Sequence, residues 1–212
     1  EICPETNFAN GNGNITYYYE NNQKESQANF KLGKLDGLAT LWYKSGQKRS
    51  EIKYKNGKKD GLQTQWHKNE QKWEEINYKE GELDGFWSSW NKSGQLEESR
   101  IYSKGEQISS SRCTYYYNGQ KKTERNFKYD ELDGPWFLWN MNGQIEVNAT
   151  YSNGQEIQSS RFTYHLNGRK ESEANYINRK KTGIKFWKDD GQEVDLSPPS
   201  FTPPTQPPSD FE

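Results

Sequence analysis

A unit of 24 or 25 residues recurs along almost the whole chain, and this period constrains the fold more than any other feature. The stretch 54–85 contains one complete unit: an Asn-Gly turn, an Asp-Gly pair, a strand with Trp66, a second turn and a strand that ends at Tyr78. The aromatic residue that ends each unit returns at Phe30, Tyr54, Tyr78, Tyr102, Phe127, Tyr151 and Tyr176. A fixed period of this length is typical of repeat proteins, in which each unit packs on its neighbours.

Within each unit the side chains alternate with a period of two, which indicates strands. Leu62, Thr64 and Trp66 are predicted to face inward and Gln63, Gln65 and His67 outward. The same inward face is predicted for Leu38, Thr40, Trp42, Phe86, Ser88, Trp90, Cys113, Tyr115, Tyr117, Phe162, Tyr164 and Leu166. Strands of about six residues joined by Gly-containing turns predict antiparallel hairpins with one buried face. The predicted fold class is therefore all-β: an elongated, single-layer antiparallel sheet of tandem 24–25-residue β-hairpin repeats. It is solenoid-like, with about fourteen to sixteen strands and a length on the order of 65–75 Å.

The pattern divides the chain into three parts. Residues 1–14 are rich in Asn and Gly and are predicted to be irregular, residues 15–195 form the repeat domain, and residues 196–212 form a disordered tail. The tail carries six of the eight prolines. Two units lack the Asp-Gly pair and carry 107–112 and 156–161 instead; these segments match each other at an offset of 49, which suggests duplication of a pair of units.

Composition limits the classes of function. Only 29% of the 212 residues are hydrophobic and the mean hydropathy is -1.32, but an aromatic content of 15% can supply a thin core. A net charge of -1 gives no bulk electrostatic attraction to nucleic acid or to anionic lipid. No apolar run approaches the roughly 18 residues that a membrane span needs.

The repeated motif resembles a known family. The pattern Y-x-N-G-x-x-x-G-x-x-x-x-W…Q-x-x-x-E-x-x-Y, seen in Tyr54–Tyr78, is similar to the MORN-repeat variant found in bacterial YwqK-type antitoxins, and it covers about residues 15–192. The resemblance implies a β-hairpin scaffold for protein or membrane recognition, which in some members serves as an antitoxin or immunity protein. Residues 107–112 and 156–161 depart from the motif, and Glu70 replaces a turn glycine.

No catalytic arrangement is apparent. The two histidines, His67 and His165, lie in distant units, and the sequence has no Cys/His metal spacing and no phosphate-binding loop. We therefore expect no enzyme, no catalytic residue, no metal, no cofactor and no small-molecule substrate. Cys3 and Cys113 either form one disulfide or stay apart, in which case Cys113 serves as a small buried residue.

Two sets of residues are candidates for binding. Glu51, Glu75, Glu124 and Glu173 each lie three residues before the aromatic that ends their unit. They predict an outward carboxylate row flanked by Arg49, Lys53 and Lys122, which is either a solvated face with ion pairs or a docking strip for a basic partner. The aromatics in the outward phase are Tyr43, Trp73, Trp87, Tyr116 and Trp136. These rings predict either a recognition surface or a second small core.

The sequence thus predicts a non-enzymatic protein-binding repeat protein, of the antitoxin or immunity type, that sterically blocks a partner such as a toxin or effector. Periplasm or cell envelope is favoured over cytoplasm, and no nucleic acid partner is expected. The alternative is a membrane- or envelope-associated scaffold that binds lipid headgroups or glycan, with membrane association not driven by charge.

Overall fold

The computed structural model describes residues 5–196, which form a single sheet of sixteen antiparallel strands in chain order. The strands are β1 (Glu5–Ala9), β2 (Asn12–Tyr18), β3 (Lys24–Lys31), β4 (Lys34–Trp42), β5 (Lys48–Lys55), β6 (Lys58–Trp66), β7 (Lys72–Lys79), β8 (Glu82–Trp90), β9 (Leu96–Ser103), β10 (Glu106–Tyr115), β11 (Lys121–Lys128), β12 (Glu131–Trp139), β13 (Ile145–Ser152), β14 (Gln155–Tyr164), β15 (Lys170–Ile177) and β16 (Lys180–Phe186). Each strand pairs with the next one along the chain. The predicted all-β sheet of tandem hairpins is confirmed.

One long edge of the sheet is formed by two-residue turns. Asn56 and Gly57 join β5 to β6 with φ angles of 50° and 83°, and two positive φ angles are typical of the type I′ hairpin turn. Each such turn also binds the preceding hairpin, as when Gly57 N–H donates to Leu35 O in β4 at 2.7 Å. The turns on this edge therefore connect neighbouring hairpins as well as strands.

The other long edge, which we call the glutamine edge, is formed by wider turns. In the turn 43–47, Tyr43 N–H donates to Gln47 O at 2.9 Å and Gly46 N–H donates to Tyr43 O at 2.8 Å. Glu70, which replaces the glycine in the next turn on this edge, keeps the same left-handed backbone with a φ of 65°. The departure from the motif at this position leaves the turn intact.

The Asp-Gly pairs do not form turns. Asp60 and Gly61 lie inside β6, and the Asp60 carboxylate accepts the Glu80 backbone N–H at 3.3 Å. The same bond links Asp36 to Asn56, Asp84 to Lys104 and Asp133 to Asn153. The conserved spacing of the pair within this chain thus reflects a side-chain connection between hairpins.

The sheet has two half-covered faces, so the prediction of one buried face is wrong. Gln63 and Thr64 are neighbours on opposite faces, and both are buried. Leu62 was expected to face inward but is exposed. Among hydrophobic side chains of the described residues, only Ile76, Cys113 and Ala149 count as buried. The single layer is stabilised by backbone hydrogen bonds between neighbouring strands and by side-chain contacts along each face.

The N-terminal boundary of the repeat domain differs from the prediction. The segment 1–14 was expected to be irregular, but β1 and the first residues of β2 lie within it, and Asn7 pairs with Asn14. The unit pattern therefore extends to Glu5. Most of the predicted tail and Cys3 lie outside the described residues.

Replacing Arg179 with glycine is expected to raise the free energy of unfolding by about 1 kcal/mol. Arg179 has a φ of 64° in the turn before β16, at a position where the turns 56–57 and 153–154 carry glycine. Removing the side chain relieves this strained backbone. The midpoint of chemical unfolding measures the effect, and an unchanged or lower midpoint would contradict it. Gly57→Arg serves as the reverse control and should destabilise.

Candidate functional site

The predicted carboxylate row lies on the face that carries Thr40, Thr64 and Trp66, which we call the glutamate face. Glu51 is the cross-strand partner of Thr40 and Thr64, and Glu75 is likewise paired with Thr64. The expectation that these carboxylates are on the face opposite to Thr64 is therefore wrong. Glu124 and Glu173 lie on this same face, because they are the cross-strand partners of Cys113 and Phe162.

Each carboxylate of this row is bound by a lysine of its own strand. The pairs are Lys48–Glu51 at 2.5 Å, Lys72–Glu75 at 2.6 Å, Lys121–Glu124 at 2.9 Å and Lys170–Glu173 at 2.8 Å. The hydrogen bond from Lys170, against some burial, holds the pKa of Glu173 below its ordinary value. Three of these lysines also lie over a tryptophan ring: Lys48 over Trp66, Lys121 over Trp139 and Lys170 over Trp187. The row is thus a set of neutralised pairs, three of which cover a tryptophan ring.

The opposite face carries the aromatics that end the units, and we call it the tyrosine face. Trp87 and Trp136, two predicted binding residues, lie here in mid-strand and are half-buried. The Trp87 indole N–H donates to Glu74 Oε1 at 2.9 Å, and the Arg100 guanidinium lies 4.5 Å from its ring centroid. Trp136 contacts Tyr151 edge to face at 6.4 Å. Both rings are built into contacts between strands.

A second charge cluster on the tyrosine face was not predicted. Glu98 binds Arg100 at 2.9 Å and Arg112 at 2.7 Å, so one carboxylate bridges β9 and β10. Burial opposes ionisation of Glu98, but the hydrogen bonds from the two guanidinium groups outweigh it, and the pKa of Glu98 is lowered. The pKa of Arg100 is raised by the same bond. Arg112 also lies over the Phe127 ring at 4.9 Å.

The other three predicted aromatics lie at the glutamine edge. The Tyr43 hydroxyl donates to Trp66 O at 2.7 Å and the Tyr116 hydroxyl to Trp139 O at 2.8 Å, so each ties its turn to the next hairpin. Trp73 is 41% exposed and lies 6.0 Å from the His67 ring. Of the aromatics predicted to bind a partner, Trp73 is the most accessible.

Three apolar side chains at consecutive turn tips of this edge form the most exposed apolar feature. Tyr117 is 91% exposed, Met141 42% and Leu166 111%, and we call these three residues the turn-tip strip. Tyr117 and Leu166 were expected to face inward, which is wrong because the strands end at Tyr115 and Tyr164. Two of the three turns, 116–120 and 140–144, carry no charged residue, whereas the turn of Leu166 ends at Arg169.

The strip is held by hydrogen bonds between turns. Asn118 Nδ2 donates to Met141 O at 2.9 Å, and Gln144 Nε2 donates to Gly168 O at 2.6 Å. The same bond occurs in other units, where Asn21 donates to Lys44 O and Asn69 donates to Lys92 O. Lys44 and Lys92 therefore occupy the same turn position as Met141. A sequence signal for the strip was therefore present: at this position the units change from Glu20, Lys44, Lys68 and Lys92 to Tyr117, Met141 and Leu166.

Further groups bear on chemistry. Cys113 is buried, and burial raises the pKa of its thiol. The described residues contain no cluster of three His, Cys, Asp or Glu side chains that could hold a metal ion. None of them forms a helix long and apolar enough to cross a membrane.

These features define a tandem β-hairpin repeat protein with one layer and no enclosed core. Residues 11–32, 35–56 and 59–80 match the model of the MORN repeat variant, so these three units are MORN repeats, as the motif predicted. The finer label of a YwqK-type antitoxin remains a prediction. No match to a curated protein was found.

Among solved structures, the chain is similar to a chain in the crystal structure of TcdB2-TccC3-TEV, with 11% identity and a TM-score of 0.36. It is also similar to a chain in the Photorhabdus luminescens Tc holotoxin pore, with 11% identity and a TM-score of 0.37. Both matches cover 82% of this chain, but only 10% and 9% of the other chains. Similarity at this level carries no argument about function.

Proposed function

We propose that the protein is a non-enzymatic binding protein that docks a partner protein along the glutamine edge, with the turn-tip strip at the centre of the contact. The observation that carries the proposal is the exposure of Tyr117, Met141 and Leu166 at three successive tips. Exposed apolar groups in a row are typical of protein interaction sites, and aromatic residues are enriched in the centres of interfaces.

The edge is suited to steric blocking because it is preformed. Hydrogen bonds from Asn118 and Gln144 fix neighbouring turns relative to each other, so little conformational entropy is lost on docking. Adjacent tips are separated by two strands, or about 9–10 Å, which makes the strip about 20 Å long. Trp73 extends the same edge toward the N-terminal repeats. In its most concrete form the proposal is an antitoxin or immunity protein of the bacterial cell envelope that covers the active surface of a toxin.

Replacing all three tips with lysine tests the proposal. The fold already carries lysine at this turn position in Lys44, Lys68 and Lys92, so the variant Tyr117→Lys/Met141→Lys/Leu166→Lys should keep the wild-type melting temperature. We expect it to lose at least about 100-fold in affinity for a partner captured from the native lysate by the wild type, since desolvated apolar anchors dominate such interfaces. The matched control is Lys44→Ala/Lys68→Ala/Lys92→Ala, which should retain the partner.

Retention of the same stoichiometric partner by the triple-lysine variant would contradict the proposal. The second candidate, an envelope scaffold that inserts the same tips into a bilayer surface, is favoured by the uncharged turns that carry Tyr117 and Met141. Flotation of the wild type with phosphatidylcholine vesicles, insensitive to salt and lost in the triple-lysine variant, would support that candidate instead.

A further inference from the structure

A groove of about 540 Å³ opens on the glutamate face between β8 and β12. It exists because β10 carries Ser111 at a position where β4, β6 and β8 carry a larger apolar side chain. Judged by its pairing with the following strand, Ser111 occupies the position of Leu38, Leu62 and Phe86. We call this feature the serine groove. Its volume falls in the range of about 300–1,000 Å³ that is usual for small-molecule sites.

The floor of the serine groove offers hydroxyl groups that have no partner. Ser99 and Ser111 are cross-strand partners, and Ser109 lies two residues before Ser111 on the same strand. The side-chain hydroxyls of these three half-buried serines make no hydrogen bond to another described residue. Asn126 pairs with Ser111 and donates its Nδ2 to Pro135 O at 2.7 Å, so its Oδ1 is left as an acceptor. Polar groups in this state are available to a ligand that carries hydroxyls.

One wall of the groove is apolar and accessible. Phe86 is 64% exposed and Ile101, its cross-strand partner, is 40% exposed. Pro135 is the apolar residue on the opposite side. An exposed ring beside hydroxyl groups suits a ligand that has an apolar face of C–H bonds and a polar rim, because the negative face of the ring attracts such C–H groups.

The charged side chains that line the groove already have contacts within the protein. Glu124 is bound by Lys121 at 2.9 Å, and the Asp133 carboxylate accepts the Asn153 N–H at 3.2 Å. Arg100, which also lines the groove, is bound by Glu98 at 2.9 Å, and Lys128 lies 5.9 Å from the Tyr129 ring centroid. No cluster of like charge among the described lining residues would select an anion or a cation, so the groove favours a neutral ligand.

An extended peptide is a poorer fit. The strands β9, β10 and β11 that form the floor are paired on both sides, so their backbone groups are used in the ladder. Strand addition needs free N–H and C=O groups at a sheet edge. Recognition here must come from side chains.

The duplication supplies an internal comparison. Forty-nine residues further on, the equivalent groove contains Asn148, Ser160 and Asn175 and has a volume of only about 240 Å³. Pro135 there takes the place of Phe86, and the Ser160 hydroxyl donates to Asn175 Oδ1 at 2.6 Å. The second groove thus lacks both the aromatic wall and the free hydroxyl.

We propose that the serine groove binds a neutral saccharide, with a pyranose ring stacked on Phe86 and its hydroxyls bound by Ser99, Ser109, Ser111 and Asn126. The site takes one saccharide per chain, because the second groove is small and internally hydrogen-bonded. This inference stands apart from the docking edge, which lies at the turns.

Calorimetric titration of the full chain with maltotriose, cellotriose and chitotriose tests the proposal. At least one of these neutral trisaccharides is expected to bind with a stoichiometry of one. Phe86→Ala should weaken that binding about tenfold or more, and Ser99→Ala/Ser111→Ala about fivefold, in line with the loss of a stacked ring and of two hydrogen bonds. Leu62→Ala, at the equivalent position two strands earlier, should leave the affinity unchanged.

Thermal unfolding of each variant separates a local effect from a loss of fold, and a Phe86→Leu variant, which copies the neighbouring units, gives a second test if Phe86→Ala unfolds. Binding of none of the three sugars at millimolar concentration would overturn the proposal. A stoichiometry of two, or equal affinity in Phe86→Leu and wild type, would overturn it as well.

Discussion

The variant Trp87→Ala is expected to lose about 2–3 kcal/mol of unfolding free energy, whereas Trp73→Ala should lose less than about 1 kcal/mol. Trp87 is half-buried in mid-strand, donates its indole N–H to Glu74 and is covered by the Arg100 guanidinium. Its removal opens the tyrosine face beside the buried Ile76, its cross-strand partner. Trp73 is 41% exposed at the glutamine edge, where truncation leaves little unfilled space.

Urea unfolding followed by far-ultraviolet circular dichroism measures both variants on the same scale. Trp73→Ala is the matched control, because it removes the same side chain from a neighbouring strand of the same sheet. Equal and small losses of stability in the two variants, together with loss of partner capture in Trp87→Ala, would show that Trp87 is a binding residue. A stability loss confined to Trp87→Ala would show that it supports the sheet.

The repeat and its hairpins could be predicted because their signals are local. Asn56-Gly57 tolerates two positive φ angles, and such a pair fixes a turn without help from distant residues. Six of the eight two-residue turns in the described residues end in glycine, and the period follows from them. Local chemistry therefore determines the order and pairing of the strands.

The assignment of the two faces could not be predicted in the same way. From the alternating pattern, the apolar residues of an outgoing strand and of its returning strand are predicted to share one face, but Gln63, not Thr64, is the partner of Ile76. Which residues pair depends on the length of the turn and on the irregularity between Gln65 and Trp66. The observed pairing differs by one residue from the predicted one, so Glu75 lies on the face of Thr64.

The turn-tip strip was missed for a different reason. The alternation of Cys113 and Tyr115 was extended to Tyr117, although the strand ends at Tyr115 and the chain turns there. A period of two has no meaning beyond the last paired residue. Comparison of the same turn position among units would have found the change from lysine to apolar side chains.

The variant Glu98→Gln is expected to lose about 1–2 kcal/mol of unfolding free energy at pH 7. Its side chain is only 17% exposed and binds two guanidinium groups, Arg100 and Arg112, so the neutral amide leaves both without a charged partner. The adjacent residue Glu97 is exposed and provides the control, since Glu97→Gln should change the stability by less than about 0.5 kcal/mol.

The effect of Glu98→Gln should depend on pH in one direction. The pKa of Glu98 is lowered in the folded chain, so its contribution is fully present above about pH 4.3, the ordinary pKa of a glutamate in an unfolded chain. The contribution is lost as the pH falls through the lowered folded-state pKa, because protonation then removes the charge in both states. Unfolding midpoints measured from about pH 6 to pH 3 should therefore converge for wild type and Glu98→Gln at the acidic end. A difference that stays constant over this range would show that Glu98 stabilises β9 and β10 by shape and packing, and that its charge contributes nothing.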